Sequence, residues 1–293
     1  MSFGPHLFLA LLEGTVTAFV LALAALGLSL VFGVMRIVNV AHGTFFMLGA
    51  VLAWWCASIV GGIPLWGFLV AMVVGPLVVG GVAVATDWLI LRRLDYHPES
   101  TIVATIGLLY IIEQLVLTFY GADARPVEAP IYFRVTFPWF GYSGYKLVVA
   151  GASALLLLAT WLAMTRTRLG LYMRATQSNQ EMAQAFGVPV RRVYAATFAL
   201  GGMLAAVAGV LVVPIQQAHY LMGLDPLLLS FIVVIVGGLG SLKGTLVAAF
   251  IVGISDGVIS VFFSPTLAKI IATLLVALVL VVRPGGLFGR EEA

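Results

Sequence analysis

The sequence predicts an all-α fold, a polytopic membrane helix bundle of about nine spans, with broken or re-entrant elements and a short cytoplasmic helix outside the membrane. Three observations predict it. The chain of 293 residues is 62% hydrophobic and only 9% charged, with mean hydropathy +1.14. A soluble domain carries about 25% charged residues. Apolar runs long enough to cross about 30 Å of hydrocarbon alternate with charges, Pro and Gly. Between Arg166 and Arg192 lies a polar, basic interruption with its own helix start and stop signals. Residues 1–293 read as one transmembrane domain.

The first run, 9–34, has no basic residue before Arg36, so it reads as a span and not as a cleavable signal peptide. Asn39-Val40-Ala41-His42-Gly43 separates it from the second run, 42–60. An unwound turn there would expose backbone groups to a cavity, and a tight turn with His42 capping a helix is the structural alternative. The only cysteine, Cys56, sits beside Trp54 and Trp55 and reads as a buried small residue. Runs 65–91 and 100–120 follow, the second containing Glu113 and Gln114. The loop 121–145 holds Pro126, Pro130 and Pro138 with several aromatics, which suits a small ordered cap, a docking surface or a plain connector. Beyond it come 146–165, 193–215, 227–241, 245–263 and 268–283. Run 227–241 is short for a full crossing and reads as broken or re-entrant.

Polar groups inside spans are expensive and mark a pathway or a partner helix. Asn39, His42, Glu113 and Asp256 are the candidates here, with a structural hydrogen bond as the alternative for the two acids. Gly240-x-x-x-Gly244, Gly253-x-x-x-Gly257 and Ala205-x-x-x-Gly209 permit close helix approach, within the chain or in a dimer. Trp54, Trp66, Trp88, Tyr120, Trp139 and Tyr145 near run ends read as interface anchors.

Orientation follows from the basic residues. With 166–192 in the cytoplasm, alternation puts Arg36, Arg92, Arg93, Arg166, Arg168, Arg174, Arg191, Arg192, Lys243, Arg283 and Arg290 inside. Arg125, Arg134, Lys146 and Lys269 fall outside, which makes 121–145 external. An odd span count then gives a cytoplasmic C-terminus.

Within 166–192, Ser178 and Glu181 have capping-box spacing, Gly187 can adopt the left-handed end of a helix, and Pro189 prevents resumption. Met182 and Phe186, at i and i+4, give this helix one apolar face. A membrane protein that presents a separately capped helix offers it to a partner.

Several chemistries are excluded. The run Gly237-Gly238-Leu239-Gly240-Ser241-Leu242-Lys243-Gly244 fails as a phosphate loop, because Gly244 stands where Ser or Thr is needed. Histidines 6, 42, 97 and 219 form no zinc-protease pair, and no Gly-x-Ser-x-Gly elbow occurs. The basic residues lie between apolar runs and do not suggest nucleic acid.

These features together resemble the membrane permeases of branched-chain amino acid ABC importers. Asn39-Val40-Ala41-His42-Gly43 is similar to the family's Asn-Phe-Ala-His-Gly motif. Arg174-Ala175, Met182-Ala183, Phe186-Gly187-Val188 and Arg191-Arg192-Val193 resemble its coupling segment. Ala208-Gly209, the glycine run 237–244 and Arg283-Pro284-Gly285-Gly286-Leu287-Phe288-Gly289 fit as well. The similarity spans the chain in order and is nearest the shorter, H-type subunit. Thr44 departs from the acidic residue that many relatives carry after the glycine, and the family also serves urea, short amides and aromatic or other carboxylates.

The resemblance implies a multi-pass subunit of the bacterial inner membrane. It implies a second permease (usually a paralogue), two ATPase subunits and a periplasmic binding protein as partners. ATP and magnesium would be held by the ATPases, with no cofactor in this chain. Arg174, Ser178, Glu181, Met182, Phe186, Gly187 and Arg191 are the residues it assigns to ATPase coupling. Asn39, His42, Glu113 and Asp256 are the candidates for the translocation path. An ion-gradient-driven secondary transporter is the alternative, but it calls for more embedded carboxylates than Glu113 and Asp256. An intramembrane enzyme would need a catalytic set that the sequence lacks.

Overall fold

The computed structural model describes residues 3–283 and 285–288. Pro284, Gly289 and Arg290 of the C-terminal motif and charge count lie outside the described residues. Within them the chain forms eleven α-helices, a short 3-10 turn and one two-stranded hairpin. In order these are α1 (Phe3–Met35), α2 (His42–Val60), α3 (Pro64–Leu89), the turn Leu91–Leu94 and α4 (Pro98–Tyr120). Strands β1 (Arg134–Thr136) and β2 (Gly141–Ser143) lie in the 121–145 loop. Then come α5 (Gly144–Arg166), α6 (Arg168–Ser178), α7 (Gln180–Ala185), α8 (Val190–Gln216), α9 (Leu224–Gly237), α10 (Leu242–Phe262) and α11 (Pro265–Val282).

Eight of these helices are long and apolar enough to cross a membrane. The ninth expected span, α9, has 14 residues, or about 21 Å, short of a hydrocarbon core. The chain covers the remaining depth with the non-helical segment 217–223. α6 is an element that the polar reading of 166–192 did not contain. It begins where Thr167 accepts a hydrogen bond from the Gly170 amide at 3.1 Å.

Glycine determines how the central helices meet. α1 runs antiparallel to α10, with Gly14 against Gly257 and Ala18 against Gly253. Near the other end of this pair, the Thr245 hydroxyl donates to Ser29 at 2.9 Å. α2 packs on α8 so tightly that a Cβ on Gly49 would overlap the Ala206 backbone, and one on Gly209 the Phe46 carbonyl. The small-residue motifs 205–209 and 253–257 are thus used within the chain.

The packing also sorts the connections onto two ends. Phe8 stacks on Phe137 and Phe140, and Phe3 on Phe262, so the start of α1 lies with the 121–145 hairpin and the end of α10. At the opposite end, Gln177 donates to the Gly240 carbonyl at 2.9 Å. The Leu287 amide donates to Val236 there at 2.8 Å, which brings 285–288 to the same end. We call these the loop end and the basic end.

Two chain breaks interrupt the bundle. Arg36, with φ +55°, turns the chain out of α1, and 37–41 runs back among buried residues, with Ile37 and Ala41 fully covered. α2 therefore starts beside Ala24, eleven residues and about 16 Å back along α1. The Thr105 hydroxyl of α4 braces this segment by accepting from the Val40 amide at 3.2 Å. The chain is thus non-helical at 36–41, while His42 and Gly43 already belong to α2 and no side chain caps its start. The second break begins at Gln217, with φ +67°. Ala218 pairs with Arg125 through two 2.9 Å backbone bonds, and the chain then dips inward until Gly223 touches Gly43.

Tyr120 and Tyr145 correct the interface-anchor reading. Their rings are buried, and their hydroxyls donate to the Ala218 and Leu211 carbonyls at 2.9 and 2.8 Å. Tyr120 fastens α4 to the non-helical segment after α8 and Tyr145 fastens α5 to α8, whereas Trp66, Trp88 and Trp139 remain exposed.

Candidate functional site

The basic end is built on α6 and α7. Asn179 has extended backbone, φ −155°, and its side-chain oxygen accepts from the Met182 amide at 3.0 Å, so it caps α7. Ser178 is the last residue of α6, so the Ser178–Glu181 capping box does not form. A capping residue must leave helical geometry, and Ser178 is still inside the preceding helix. The other end agrees with the expectation. Gly187 has φ +80°, its amide donates to Gln184, and the Val188 amide donates to Ala183. This pattern satisfies the last carbonyls of the helix.

α7 turns Ala183 inward and leaves Met182 52% and Phe186 81% exposed. Arg191 is also exposed, at the start of α8. Arg174 is not offered outward by its guanidinium alone: it donates to the Met164 carbonyl and ties α6 to the end of α5.

Behind α7 lies a cavity of about 440 Å³. Ser178, Asn179, Gln180 and Glu181 form one wall, and Arg36, Asp95, Tyr96 and Tyr194 face them. Glu181 therefore borders this cavity and not only an outer rim. Tyr96 donates to Asp87 at 3.1 Å, and Arg92 pairs with the same buried carboxylate at 3.0 Å. Burial and then the Asp87 charge push the Tyr96 phenol above its ordinary range, which keeps it a donor.

A second cavity, about 390 Å³, opens at the loop end. Its rim carries charges of both signs in two ion pairs. Lys146 meets Glu13 at 2.6 Å, and Lys269 meets Asp225 at 2.7 Å. His219 and Asp256 also line it, while its floor is apolar: Leu21, Ala24, Phe46, Met222 and Leu229. Beside the rim, burial and then the Glu13 charge raise the Tyr142 phenol above its ordinary range.

The four path candidates separate. Asp256 lines the loop-end cavity. Asn39 and His42 are both 1% exposed, and His42 Nε2 donates to the carbonyl of Ala24, a floor residue of that cavity. Glu113 lies on α4 and lines neither cavity. Sequence reasoning missed the rim. Glu13 was legible as a lone acid in an apolar run, but its pairing with Lys146 across 133 positions was not.

The sequence comparisons agree with this architecture. A family model described as the permease component of branched-chain amino acid transport systems matches residues 10–281. The chain belongs to that permease family. The LivH high-affinity branched-chain amino acid permease of Escherichia coli K12 is 28% identical over 288 residues, covering 92% of each chain. The probable LivH permease of Methanocaldococcus jannaschii is 27% identical over 96% of this chain and 92% of its own. The BraD permease of Pseudomonas aeruginosa is 24% identical over 98% and 97%. No solved structure matches the chain at a significant level. The protein is thus a multi-pass permease subunit of an ABC importer, a transporter component and not an enzyme. This membership sets aside the gradient-driven alternative. Such permeases work with ATPase subunits, a further permease and a binding protein.

Proposed function

We propose that this permease carries a small amphipathic zwitterion, of the branched-chain amino acid type, across the bacterial inner membrane. Its partners in this reading are a paralogous permease, two ATPase subunits that hold ATP and magnesium, and a periplasmic binding protein. The loop end faces the binding protein, and the basic end with the C-terminus faces the cytoplasm, in line with the excess of basic residues there. The loop-end cavity supports the substrate class. Its rim offers partners for an ammonium and a carboxylate, and its floor suits an aliphatic side chain. The relatives named above are branched-chain amino acid permeases.

The observation that carries the reading is the exposed Met182–Phe186 edge of α7, at the end opposite the loop-end cavity. An apolar edge on a rigidly capped helix is suited to a cleft in another protein. α7 joins α6 through Asn179 alone and α8 through the four-residue turn 186–189, so closure of the ATPases would tilt the bundle. Differential affinity of the ATP-bound ATPases for two bundle states supplies the coupling. Arg191 and Gln184 extend the docking surface, and Gly187 sets its turn.

Phe186→Asp tests this. The variant is expected to insert and purify normally while ATPase stimulation by the loaded binding protein falls at least about tenfold. Unchanged stimulation would remove α7 from the coupling interface.

A further inference from the structure

Two of the outer helices show lipid a purely apolar wall. α3 turns Leu69, Val73, Leu77 and Val84 outward, and α5 turns Leu155, Leu158 and Leu162 outward. α4 breaks the pattern. It buries one stripe, Thr101, Thr105, Leu109, Ile112, Val116 and Tyr120, which packs on α2 and braces the 37–41 segment. At 100° per residue, Gln114 points directly away from that stripe, with Tyr110 next to it on the outward side. Both are exposed, Tyr110 by 66%. Glu113 is half-buried, on the flank between Tyr110 and the stripe. Among the described residues, none of these three side chains has a hydrogen-bond or ion-pair partner.

Depth makes this costly. α4 has 23 residues and its middle is Leu109. Tyr110, Glu113 and Gln114 lie within about 8 Å of that level, inside a hydrocarbon core about 30 Å thick. Acyl chains supply no hydrogen bond there, and polar groups at such depth face protein. This chain provides none. The ATPases and the binding protein lie outside the bilayer and do not reach it. The remaining occupant is a helix of another membrane subunit.

Glu113 states what that helix carries. It is the one charged residue between Thr101 and Tyr120, and carboxylate oxygens only accept. A second copy of this chain, packed through α4 about a two-fold axis, would set acid opposite acid and add no base. A different chain can bring a donor to the same depth.

We propose that the outward face of α4 seats the second, paralogous permease, and that this partner presents a hydrogen-bond donor or a base to Glu113 and Gln114 within the membrane. This rests on the permease reading above and goes beyond it by placing the seam. Glu113, the path candidate that lines neither cavity, then stands where the two permeases meet.

The test uses the importer assembled in its membrane, with different tags on this chain and on the second permease. Tyr110→p-benzoylphenylalanine keeps an aromatic ring at the site and adds a photoreactive ketone. Irradiation is expected to give a product carrying both tags, at least about tenfold more than the same probe gives at Leu77 on α3 or Leu158 on α5. No such product from position 110, or as much from either control, would overturn the proposal. A product made of two copies of this chain would overturn the choice of a paralogue.

The polar contribution has its own readout. Glu113→Leu combined with Gln114→Leu is expected to lower the second permease retained on this chain in mild detergent at least about fivefold, with the amount of this chain in the membrane unchanged. Equal retention would remove the polar groups from the seam. The two readings fail separately. If the wild-type chain retains the second permease and the ATPases while position 110 gives no product, the seam is misplaced and the permease reading stands. If it retains no second permease, the partnership fails and the seam falls with it.

Discussion

A phenyl ring 81% exposed at the end of a six-residue helix, as at Phe186, is costly to hold in water. Full burial of such a side chain is worth about 2–3 kcal/mol. The helix that displays it is too short to form by itself and depends on its ends. Asn179 supplies one end, so Asn179→Ala is expected to remove about 1 kcal/mol from the local structure. Ser178→Ala, outside the cap, should change little. Hydrogen exchange at the 182–186 amides checks this: faster in the first variant, unchanged in the second. The existence of this helix was legible because Gly187 and Pro189 can end a helix in few ways. Its start was misplaced by one residue, because spacing alone cannot show that α6 still owns Ser178. The outward aim of Met182 and Phe186 was open in the sequence. It was decided by Ala183, which takes the buried position.

Helix contacts obey the same division between what is local and what is not. The boundaries of α2, α4, α5 and α8 lie within three residues of the apolar runs that predicted them, because hydrophobicity and Pro/Gly punctuation are local signals. Which glycine meets which helix is a long-range fact. Gly49 and Gly107 look alike in sequence, yet a Cβ on the first would overlap Ala206, and one on the second meets nothing within 4 Å. Gly49→Leu is therefore expected to destabilise the bundle by about 3 kcal/mol or more, by forcing α2 and α8 apart. Gly107→Ala should be neutral or slightly stabilising, since alanine is the better helix former. Thermal unfolding in detergent separates the two. The paired charges of the loop-end cavity were illegible for the same reason. Glu13 and Lys146, like Asp225 and Lys269, come from elements far apart in the chain and meet only after folding.

At the scale of the whole molecule, the parity of crossings decides which side each connection occupies, and it turns on α9. The helix alone is too short, but 217–223 descends from the loop end to Gly43 before α9 starts. The turn that follows α9 reaches the basic end, where Gly240 meets Gln177. α9 with its entry segment thus completes a ninth crossing and leaves α11 to return the chain to the basic end. In the Cys56→Ala background, Glu128→Cys and Ser264→Cys are expected to react with an impermeant maleimide from outside intact cells. Leu239→Cys and Phe186→Cys should react only after the membrane is opened. Leu239→Cys labelled together with Glu128→Cys would make α9 a hairpin that turns back within the membrane. The reversed pattern, with Phe186→Cys outside, would contradict the charge bias and detach α7 from any ATP-driven partner. The expected pattern is the one in which the basic residues, the capped helix and the C-terminal turn share the cytoplasmic side. It is also the one in which the paired charges of the second cavity face the solute supply.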